Sequence, residues 1–151
     1  MPGTLVDSNV LLDVYTEDPR WFAWSSSVLE QCANEGRLYI NPIVYAEVSI
    51  RFKKIEDVED ALPHEYFQRL PMPFEAAFLA GKAFLAYRKK GGAKTSTLPD
   101  FFVGAHAAIA GLRLLTRDSR RYRTYFPSLE LVSPGDGGPT VQTSRIPRLD
   151  R

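Results

Sequence analysis

The sequence predicts an α/β fold in which a short, mainly parallel sheet is covered by helices on both faces. Short apolar runs alternate with longer segments of helical spacing along most of the chain, and this alternation is typical of parallel strands joined by helical crossovers. Several helical segments begin at a proline or a capping residue, and others end at a glycine. At 151 residues, the chain has the length of one domain with a substantial core.

The first half of the chain carries two predicted strands and four predicted helices. Asn41-Pro42 is the clearest helix start, because asparagine caps a helix and proline suits its first position. In chain order we expect a strand at 4–6, a helix after Asp7-Ser8-Asn9, a helix from Pro19 to near Gly36, a strand at 38–40, a helix from Pro42 to about Phe52 and an acidic helix at 55–62.

The second half carries three predicted strands and three helical segments. We expect a strand at 68–70, a helix from Phe74 to Lys90, a polar loop at 93–97, a helix from Pro99 to Ala110, a strand at 112–116, a helical turn at 119–125 and a last strand at 129–132. From Ser133 onward, prolines and glycines replace apolar residues. The sequence therefore predicts one folded domain at 1–132 and a flexible tail at 133–151.

Composition narrows the class of protein. The chain is 44% hydrophobic and 25% charged, as in ordinary globular proteins. No run approaches the roughly 20 apolar residues of a membrane span, and no secretory signal is visible at the N-terminus. Cys32 is the only cysteine, so an internal disulfide is excluded and a reducing cytoplasm is expected. We expect Cys32 itself to be a small buried side chain.

Two acidic residues follow predicted strands directly. Asp7 comes after the run Thr4–Val6, and Asp118 comes after the run Leu112–Thr116. In an open parallel sheet, ligands bind beyond the carboxyl ends of the strands, which is where both side chains would lie. Either residue could instead cap the helix that follows it. The same chemistry at two strand ends favours a shared functional site.

Two further acids lie on helices. Glu47 shares a predicted face with Ile43, Val44 and Val48, and a carboxylate on a core-facing stripe is costly unless something pairs with it. A buried arginine or lysine partner is the structural alternative. Asp100 shares a helical face with small residues that let its helix approach the sheet closely: Gly104, Ala107 and Gly111. Its alternative is a capping box with Thr97.

If these four carboxylates meet in space, they form an oxygen-rich pocket that suits a hard divalent cation. Two histidines and one cysteine are too few soft ligands for a zinc site. His106 is six residues from Asp100 and points to another face, so we expect it to be a packed or partly exposed helix residue. All-oxygen ligation indicates Mg²⁺ or Mn²⁺, in a nuclease-like arrangement.

Basic residues gather in three clusters, although the net charge is only +1. The last cluster holds four arginines between Arg117 and Arg123. Basic clusters around an acidic pocket would suit a phosphate backbone that approaches a metal, and we expect RNA phosphate contacts from Arg117, Arg120 and Arg121. Each cluster taken singly could equally be a solvated helix face.

The chain resembles a PIN domain, specifically the toxin component of toxin–antitoxin pairs of the VapC type. Four segments carry the resemblance, and they match in order and spacing from the N-terminus to about Val132: Leu5-Val6-Asp7-Ser8-Asn9-Val10-Leu11-Leu12-Asp13, Ile43-Val44-Tyr45-Ala46-Glu47-Val48, Pro99-Asp100-Phe101-Phe102-Val103-Gly104-Ala105-His106-Ala107 and Leu114-Leu115-Thr116-Arg117-Asp118-Ser119-Arg120-Arg121-Tyr122. Each segment alone is a weak signal, but all four in order are fairly specific.

The resemblance implies a three-layer α/β/α sandwich and a metal-dependent endoribonuclease that hydrolyses RNA with a metal-activated water. The acidic quartet would be Asp7, Glu47, Asp100 and Asp118, with Mg²⁺ or Mn²⁺ as the cofactor. Asn9 and Thr116 match the polar positions that support the quartet. The family also implies a homodimer and a cognate antitoxin that covers the site.

One departure from the family pattern leaves the number of metals open. Some relatives carry another acid shortly after the position of Asp118, where this chain has arginines and Tyr122.

Functions other than a toxin ribonuclease also stay open at this point. The same fold could act on DNA, or could process or bind RNA without a toxin role. A receiver-like phosphoacceptor domain and an aspartate-type phosphatase fit less well, since Asn9 and Asn41 stand where these would need an aspartate.

Overall fold

The computed structural model describes residues 2–94 and 98–135. Its five short strands are β1 (Thr4–Val6), β2 (Leu38–Ile40), β3 (Phe67–Arg69), β4 (Arg113–Leu115) and β5 (Leu131–Val132). They form one sheet of order β3-β2-β1-β4-β5, and every neighbouring pair is parallel. The predicted parallel α/β fold is therefore confirmed.

Seven helices flank the sheet in the described part of the chain. They are α1 (Ser8–Tyr15), α2 (Phe22–Glu35), α3 (Pro42–Ser49), α4 (Ile55–Ala61), α5 (Phe74–Lys89), α6 (Pro99–Ala110) and α7 (Arg120–Tyr125). Helix α5 packs against α6, and α1 packs against α2 and α3. Within the described ranges, no helix has the length and hydropathy needed to cross a bilayer.

The core lies along the two central strands. Leu5, Val6, Leu114 and Leu115 have no exposed surface, as expected for strands that are covered on both faces. Strand order reverses at β1, because the chain proceeds from β1 to β2 and β3 on one side and places β4 and β5 on the other. A ligand site is therefore expected beyond the carboxyl ends of β1 and β4.

Two helix boundaries differ clearly from the sequence prediction. Helix α2 begins at Phe22 rather than Pro19, because the Asp18 carboxylate accepts hydrogen bonds from the amides of Arg20 and Trp21, both at 2.9 Å, and holds this stretch in a turn. Helix α3 ends at Ser49 rather than Phe52, because the chain tightens into bonds between residues three apart. The other predicted ends are within two residues of the observed ones.

Several single-residue predictions can also be checked. The side chain of Asn41 caps α3 by accepting a hydrogen bond from the Val44 amide at 2.9 Å, as predicted. Cys32 is 1% exposed within α2, and His106 is a packed helix residue that is 2% exposed. The suggested capping residue Thr97 and most of the predicted tail lie outside the described residues.

Candidate metal centre

The two strand-end acids lie beyond neighbouring strands. Asp7 directly follows β1, and its amide donates a hydrogen bond of 2.9 Å to the carbonyl oxygen of Leu115 in β4. Thr116 and Asp118 follow β4 in the same direction, because β1 and β4 are parallel. The carboxyl edge of the sheet therefore gathers Asp7, Thr116 and Asp118, as the sequence predicted.

Asp7 is the most deeply buried of the four acids, with 4% of its surface exposed. Its Oδ1 accepts a hydrogen bond of 2.8 Å from the Ser8 amide, so it caps α1. Its Oδ2 accepts from the hydroxyl of Thr116 at 3.0 Å and from the hydroxyl of Tyr122 at 2.8 Å. The capping role and the site location, which the sequence left as alternatives, are thus both present in one side chain.

Asp100 reaches the same place from the first turn of α6. The Tyr122 hydroxyl that donates to Asp7 also lies 3.4 Å from Asp100 Oδ1, so one hydroxyl stands between two carboxylates. Asp100 Oδ2 pairs with an Nη of Arg121 at 3.2 Å, and both side chains of this pair are 37% exposed. Asp100 is the more accessible member of the Asp7–Asp100 pair.

Glu47 approaches the site from α3 and is half-buried. The buried residues of that helix are Val44 and Val48, so Glu47 lies at the margin of the core-facing stripe. Its Oε1 accepts a hydrogen bond of 2.8 Å from the Ser8 hydroxyl. Among the described residues, its side chain therefore pairs with a hydroxyl and not with the buried arginine or lysine of the structural alternative.

Asp118 is exposed, and its turn is held by two polar residues. The Thr116 hydroxyl accepts hydrogen bonds from the Asp118 amide and from Asn9 Nδ2, each at 3.2 Å. Asn9 Oδ1 accepts from the Arg117 amide at 3.3 Å. Asn9 and Thr116 therefore fix the backbone around Asp118.

The electrostatics couple the four acids. The pKa of Asp7 is raised to about 6, chiefly by burial and also by the nearby Asp100, against the lowering effect of the hydrogen bonds that it accepts. Burial also raises the pKa of Asp100 and of Glu47; Asp118 adds to the rise at Asp100, and Asp100 adds to the rise at Glu47. Burial raises the pKa of Tyr122 well above its usual value, so its hydroxyl keeps its proton and acts as a donor. A bound cation would offset the crowding of negative charge.

The carboxylates at this site fit a divalent metal that is held by two protein ligands and keeps several waters. Among residues 2–94 and 98–135, no three Asp, Glu, His or Cys side chains are arranged to hold a metal ion together. Mg²⁺, however, is usually held by one or two carboxylates and keeps several waters. Asp7 and Asp100, which both contact the Tyr122 hydroxyl, match that donor set.

The three arginines of the last basic cluster differ in their surroundings. Arg117 Nε pairs with the buried Asp13 carboxylate at 2.8 Å, and its guanidinium lies 5.2 Å from the centre of the Trp21 ring. Arg121 pairs with Asp100. Arg120 is exposed at the start of α7. Two of the three cations are therefore already engaged with acids of their own chain.

Sequence reasoning missed two hydroxyl groups that contact the quartet. Ser8 bonds Glu47, and Tyr122 bonds Asp7 and lies near Asp100. The signal for Tyr122 was a tyrosine among arginines, four residues after Asp118, because a buried tyrosine usually finds a partner for its hydroxyl. Ser8 gave no comparable signal, since any serine after a strand can be a plain capping residue.

The family model of the PIN domain matches residues 4–127, which is most of the chain. The chain belongs to the PIN domain family. The matched range covers all four acids, and the resemblance that the sequence motifs indicated is confirmed at the level of the family. No curated protein sequence matches the chain significantly.

Solved structures share the PIN fold of this chain at low sequence identity. VapBC2 from Rickettsia felis, bound to a DNA fragment from its promoter, aligns with a TM-score of 0.67 and 19% identity over 87% of this chain and 98% of that chain. VapBC-1 from nontypeable Haemophilus influenzae aligns with a TM-score of 0.66 and 17% identity over 87% and 97%. A toxin–antitoxin complex from Klebsiella pneumoniae aligns with a TM-score of 0.61 and 22% identity over 85% and 95%.

Proposed function

We propose that this PIN domain protein is a metal-dependent endoribonuclease and the toxin component of a type II toxin–antitoxin pair. One observation carries the nuclease part of the proposal. Asp7 and Asp100, from opposite halves of the chain, lie on the two sides of one tyrosine hydroxyl at the carboxyl edge of the sheet. A buried carboxylate with a second carboxylate beside it is unfavourable unless a cation joins the two.

In this proposal, Mg²⁺ or Mn²⁺ is held by Asp7 and Asp100, with Glu47 and Asp118 as direct ligands or ligands through water. The exposed fractions support this division, since Asp7 is buried while Asp118 is exposed. Asn9 and Thr116 act as supporting residues because their hydrogen bonds fix the turn that carries Asp118. Outer partners of this kind commonly orient metal ligands.

When bound, a divalent cation supplies Lewis acidity toward water and toward the phosphodiester. The chain itself supplies position and charge. The burial of Asp7 removes bulk water from one side of the site. Arg120 and Arg121 lie on α7, beside the site, where cationic side chains can contact the phosphates that flank the cleaved bond. Arg117, held by Asp13, is the third proposed phosphate contact.

The toxin part of the proposal rests on the family and on the kind of structures that share the fold. VapBC and related toxin–antitoxin complexes from several bacteria align with most of this chain. We therefore propose a cognate antitoxin that covers the acidic site, a homodimeric assembly and a cytoplasmic location. One testable consequence is growth arrest on expression, which should be relieved by Asp7→Asn.

The central test is cleavage of 5′-labelled RNA by the purified protein, with Mg²⁺ or Mn²⁺ and with EDTA. Cleavage should require the metal and should leave 5′-phosphate ends. Asp7→Asn and Asp100→Asn should each reduce the rate by more than the roughly hundredfold that loss of an outer metal partner costs. Asp57→Asn, at an exposed acid of α4, is the matched control and should cleave like the parent.

Two results would refute the proposal. Equal cleavage by Asp7→Asn, Asp100→Asn and the parent would remove the acidic quartet from the chemistry. Cleavage of a matched DNA strand, with RNA left intact, would keep the metal site but exclude a ribonuclease.

A further inference from the structure

Tyr122 is buried at the centre of the acidic site, with 1% of its surface exposed. Its hydroxyl donates to Asp7 Oδ2 at 2.8 Å and lies 3.4 Å from Asp100 Oδ1. Asp7 follows β1, Asp100 opens α6, and Tyr122 belongs to α7. One hydroxyl therefore links three elements at the point where the proposed metal would bind.

The tyrosine ring has little freedom to move away from this position. A Cβ atom built at Gly104 of α6 would lie 3.0 Å from Tyr122 Cδ1 and 2.6 Å from the ring of Phe126. The absence of a side chain at Gly104 thus lets the Tyr122 and Phe126 rings pack directly on the α6 backbone. The hydroxyl is therefore held in place through its ring, which packs on α6.

Asp7 does not need Tyr122 to satisfy its hydrogen bonds. Its Oδ1 already accepts from the Ser8 amide, and its Oδ2 already accepts from the Thr116 hydroxyl at 3.0 Å. What Tyr122 adds is a connection to Asp100. The other described partner of Asp100 is Arg121, whose side chain is 37% exposed, and such exposed pairs fix geometry weakly.

We propose that Tyr122 is a positioning residue that sets the orientation and separation of the Asp7 and Asp100 carboxylates for metal binding. This inference rests on the proposed metal site at these two residues. A hydroxyl has one proton, so it donates to one carboxylate at a time while it keeps the other at short range. The two ligands are thereby held near one another before the cation arrives, which lowers the cost of assembling the site.

The test is Mn²⁺ binding by Tyr122→Phe, measured by electron paramagnetic resonance in the absence of RNA. This change keeps the ring and removes the hydroxyl. We expect Mn²⁺ affinity to fall about 10-fold to 100-fold, as for other outer metal partners. RNA cleavage should fall at subsaturating Mn²⁺ and recover in part when Mn²⁺ is raised, which loss of a purely structural contact would not produce.

Tyr125→Phe is the matched control, because it removes a hydroxyl from the same helix. Its ring packs 5.4 Å from the ring of Phe101, centre to centre, and lies outside the proposed ligand set. This variant should bind Mn²⁺ like the parent. Circular dichroism and thermal unfolding in EDTA check that both variants are folded.

A measurement on the intact side chain covers the case in which Tyr122→Phe does not fold. With 3-fluorotyrosine at position 122, the ¹⁹F resonance should shift when Mg²⁺ is added, whereas a label at the exposed Tyr66 should not respond. An unchanged resonance at position 122, in protein that binds Mg²⁺, would overturn the positioning role.

The two proposals fail in different ways. If the parent binds Mn²⁺ and cleaves RNA, and Tyr122→Phe does both equally well, the positioning role is wrong and the nuclease proposal stands. If the parent and Tyr122→Phe differ in Mn²⁺ affinity but neither cleaves RNA, the positioning role stands and the ribonuclease proposal is wrong. A parent that binds no Mn²⁺ or Mg²⁺ overturns both.

Discussion

Two aspartates at opposite ends of α1 have opposite environments. Asp7 and Asp13 are 4% and 2% exposed. Asp13 accepts hydrogen bonds of 2.8 Å from the Ser25 hydroxyl and from Arg117 Nε, so a cation balances its charge. Asp7 has hydroxyl and amide donors, but the charge that acts on it is the negative charge of Asp100. Arg117 therefore offsets the cost of burying the negative charge of Asp13, whereas Asp100 adds to the cost at Asp7.

Asp7→Asn should stabilise the metal-free protein at high pH. The pKa of Asp7 is about 6 in the fold against 3.8 for an unperturbed aspartate, so the folded state binds this proton more tightly than the unfolded chain. The bound proton stabilises the fold fully below pH 3.8, and this stabilisation is lost as the pH rises through 6. In EDTA, the free energy of unfolding of Asp7→Asn should exceed that of the parent by up to about 3 kcal/mol at pH 8, and by little at pH 4.

Urea unfolding followed by circular dichroism measures this difference. Asp13→Asn is the opposite control, because it leaves Arg117 without its carboxylate partner. It should lower the free energy of unfolding at pH 8 by about 1 to 3 kcal/mol. A gain for Asp7→Asn that is the same at pH 4 and pH 8 would show that Asp7 does not carry the pH dependence.

Arg121→Gln should separate metal binding from RNA binding. The Arg121 guanidinium beside Asp100 opposes the rise in the pKa of that carboxyl and would compete with a cation for it. Removal of the arginine should tighten Mn²⁺ binding up to about fivefold, the upper range for an exposed ion pair. It should also raise the KM for RNA, because one proposed phosphate contact is lost.

Arg123→Gln is the matched control for this prediction, since Arg123 is an exposed arginine of the same helix. It should leave Mn²⁺ affinity unchanged. Weaker Mn²⁺ binding in Arg121→Gln would mean that Arg121 holds Asp100 in a productive position and does not compete with the cation.

At the scale of elements, the contact between α6 and α7 supports the site. Gly104 lets Tyr122 and Phe126 lie directly on α6, and the same helices supply Asp100 and Arg121. The sequence indicated a small-residue face on α6 that would allow close approach. The expected neighbour was the sheet, but at Gly104 the closest groups are the rings of Phe126 and Tyr122.

Gly104→Ala should disturb both stability and metal binding. The new Cβ would stand 2.6 Å from the buried Phe126 ring, so α7 would have to shift, at a cost of about 1 to 3 kcal/mol. Because α7 carries Tyr122, Mn²⁺ affinity should fall as well. Thermal unfolding and Mn²⁺ titration of the same preparation measure the two effects.

Gly81→Ala is the matched control on α5. No heavy atom lies within 4 Å of a Cβ built there, so alanine should stabilise the helix by roughly 0.5 to 1 kcal/mol. If Gly104→Ala were as stable as the parent and bound Mn²⁺ equally, the α6–α7 contact would have no part in holding the site.

Local signals predicted most elements, and contacts distant in sequence explain the rest. Asn41-Pro42 marked the start of α3 because capping is decided by neighbouring residues. The side-chain Nδ2 of Asn41 also hydrogen-bonds His106 Nδ1 at 3.0 Å, 65 positions away. No local pattern could predict that contact. The same limit applies to Tyr122, whose partner Asp7 is 115 positions away. Residue types thus predicted which acids reach the carboxyl edge, whereas their hydroxyl partners became evident only in the folded chain.

At the scale of the whole molecule, the proposed homodimer is open to a direct measurement. Helix α5 leaves Phe74 and Phe78 91% and 67% exposed on one face, and exposed apolar side chains of this kind favour association. Light scattering should give twice the chain mass of 17.0 kDa. Replacement of both phenylalanines by serine should shift the mass toward that of a single chain, and a single-chain mass for the parent at micromolar concentration would contradict the dimer.

The placement of β1 at the centre of the sheet has a consequence for synthesis. Because Asp7 pairs with Tyr122, 115 positions later, a ribosome must translate nearly the whole domain before the acidic site can close. At the usual rate of about 5 to 20 residues per second, this interval is roughly 6 to 23 s. During that time the nascent chain carries Asp7, the first of the proposed metal ligands, but its partners are not yet in place. If the proposed toxin role holds, the chain is inert while it is being made, and the proposed antitoxin has this interval in which to bind it.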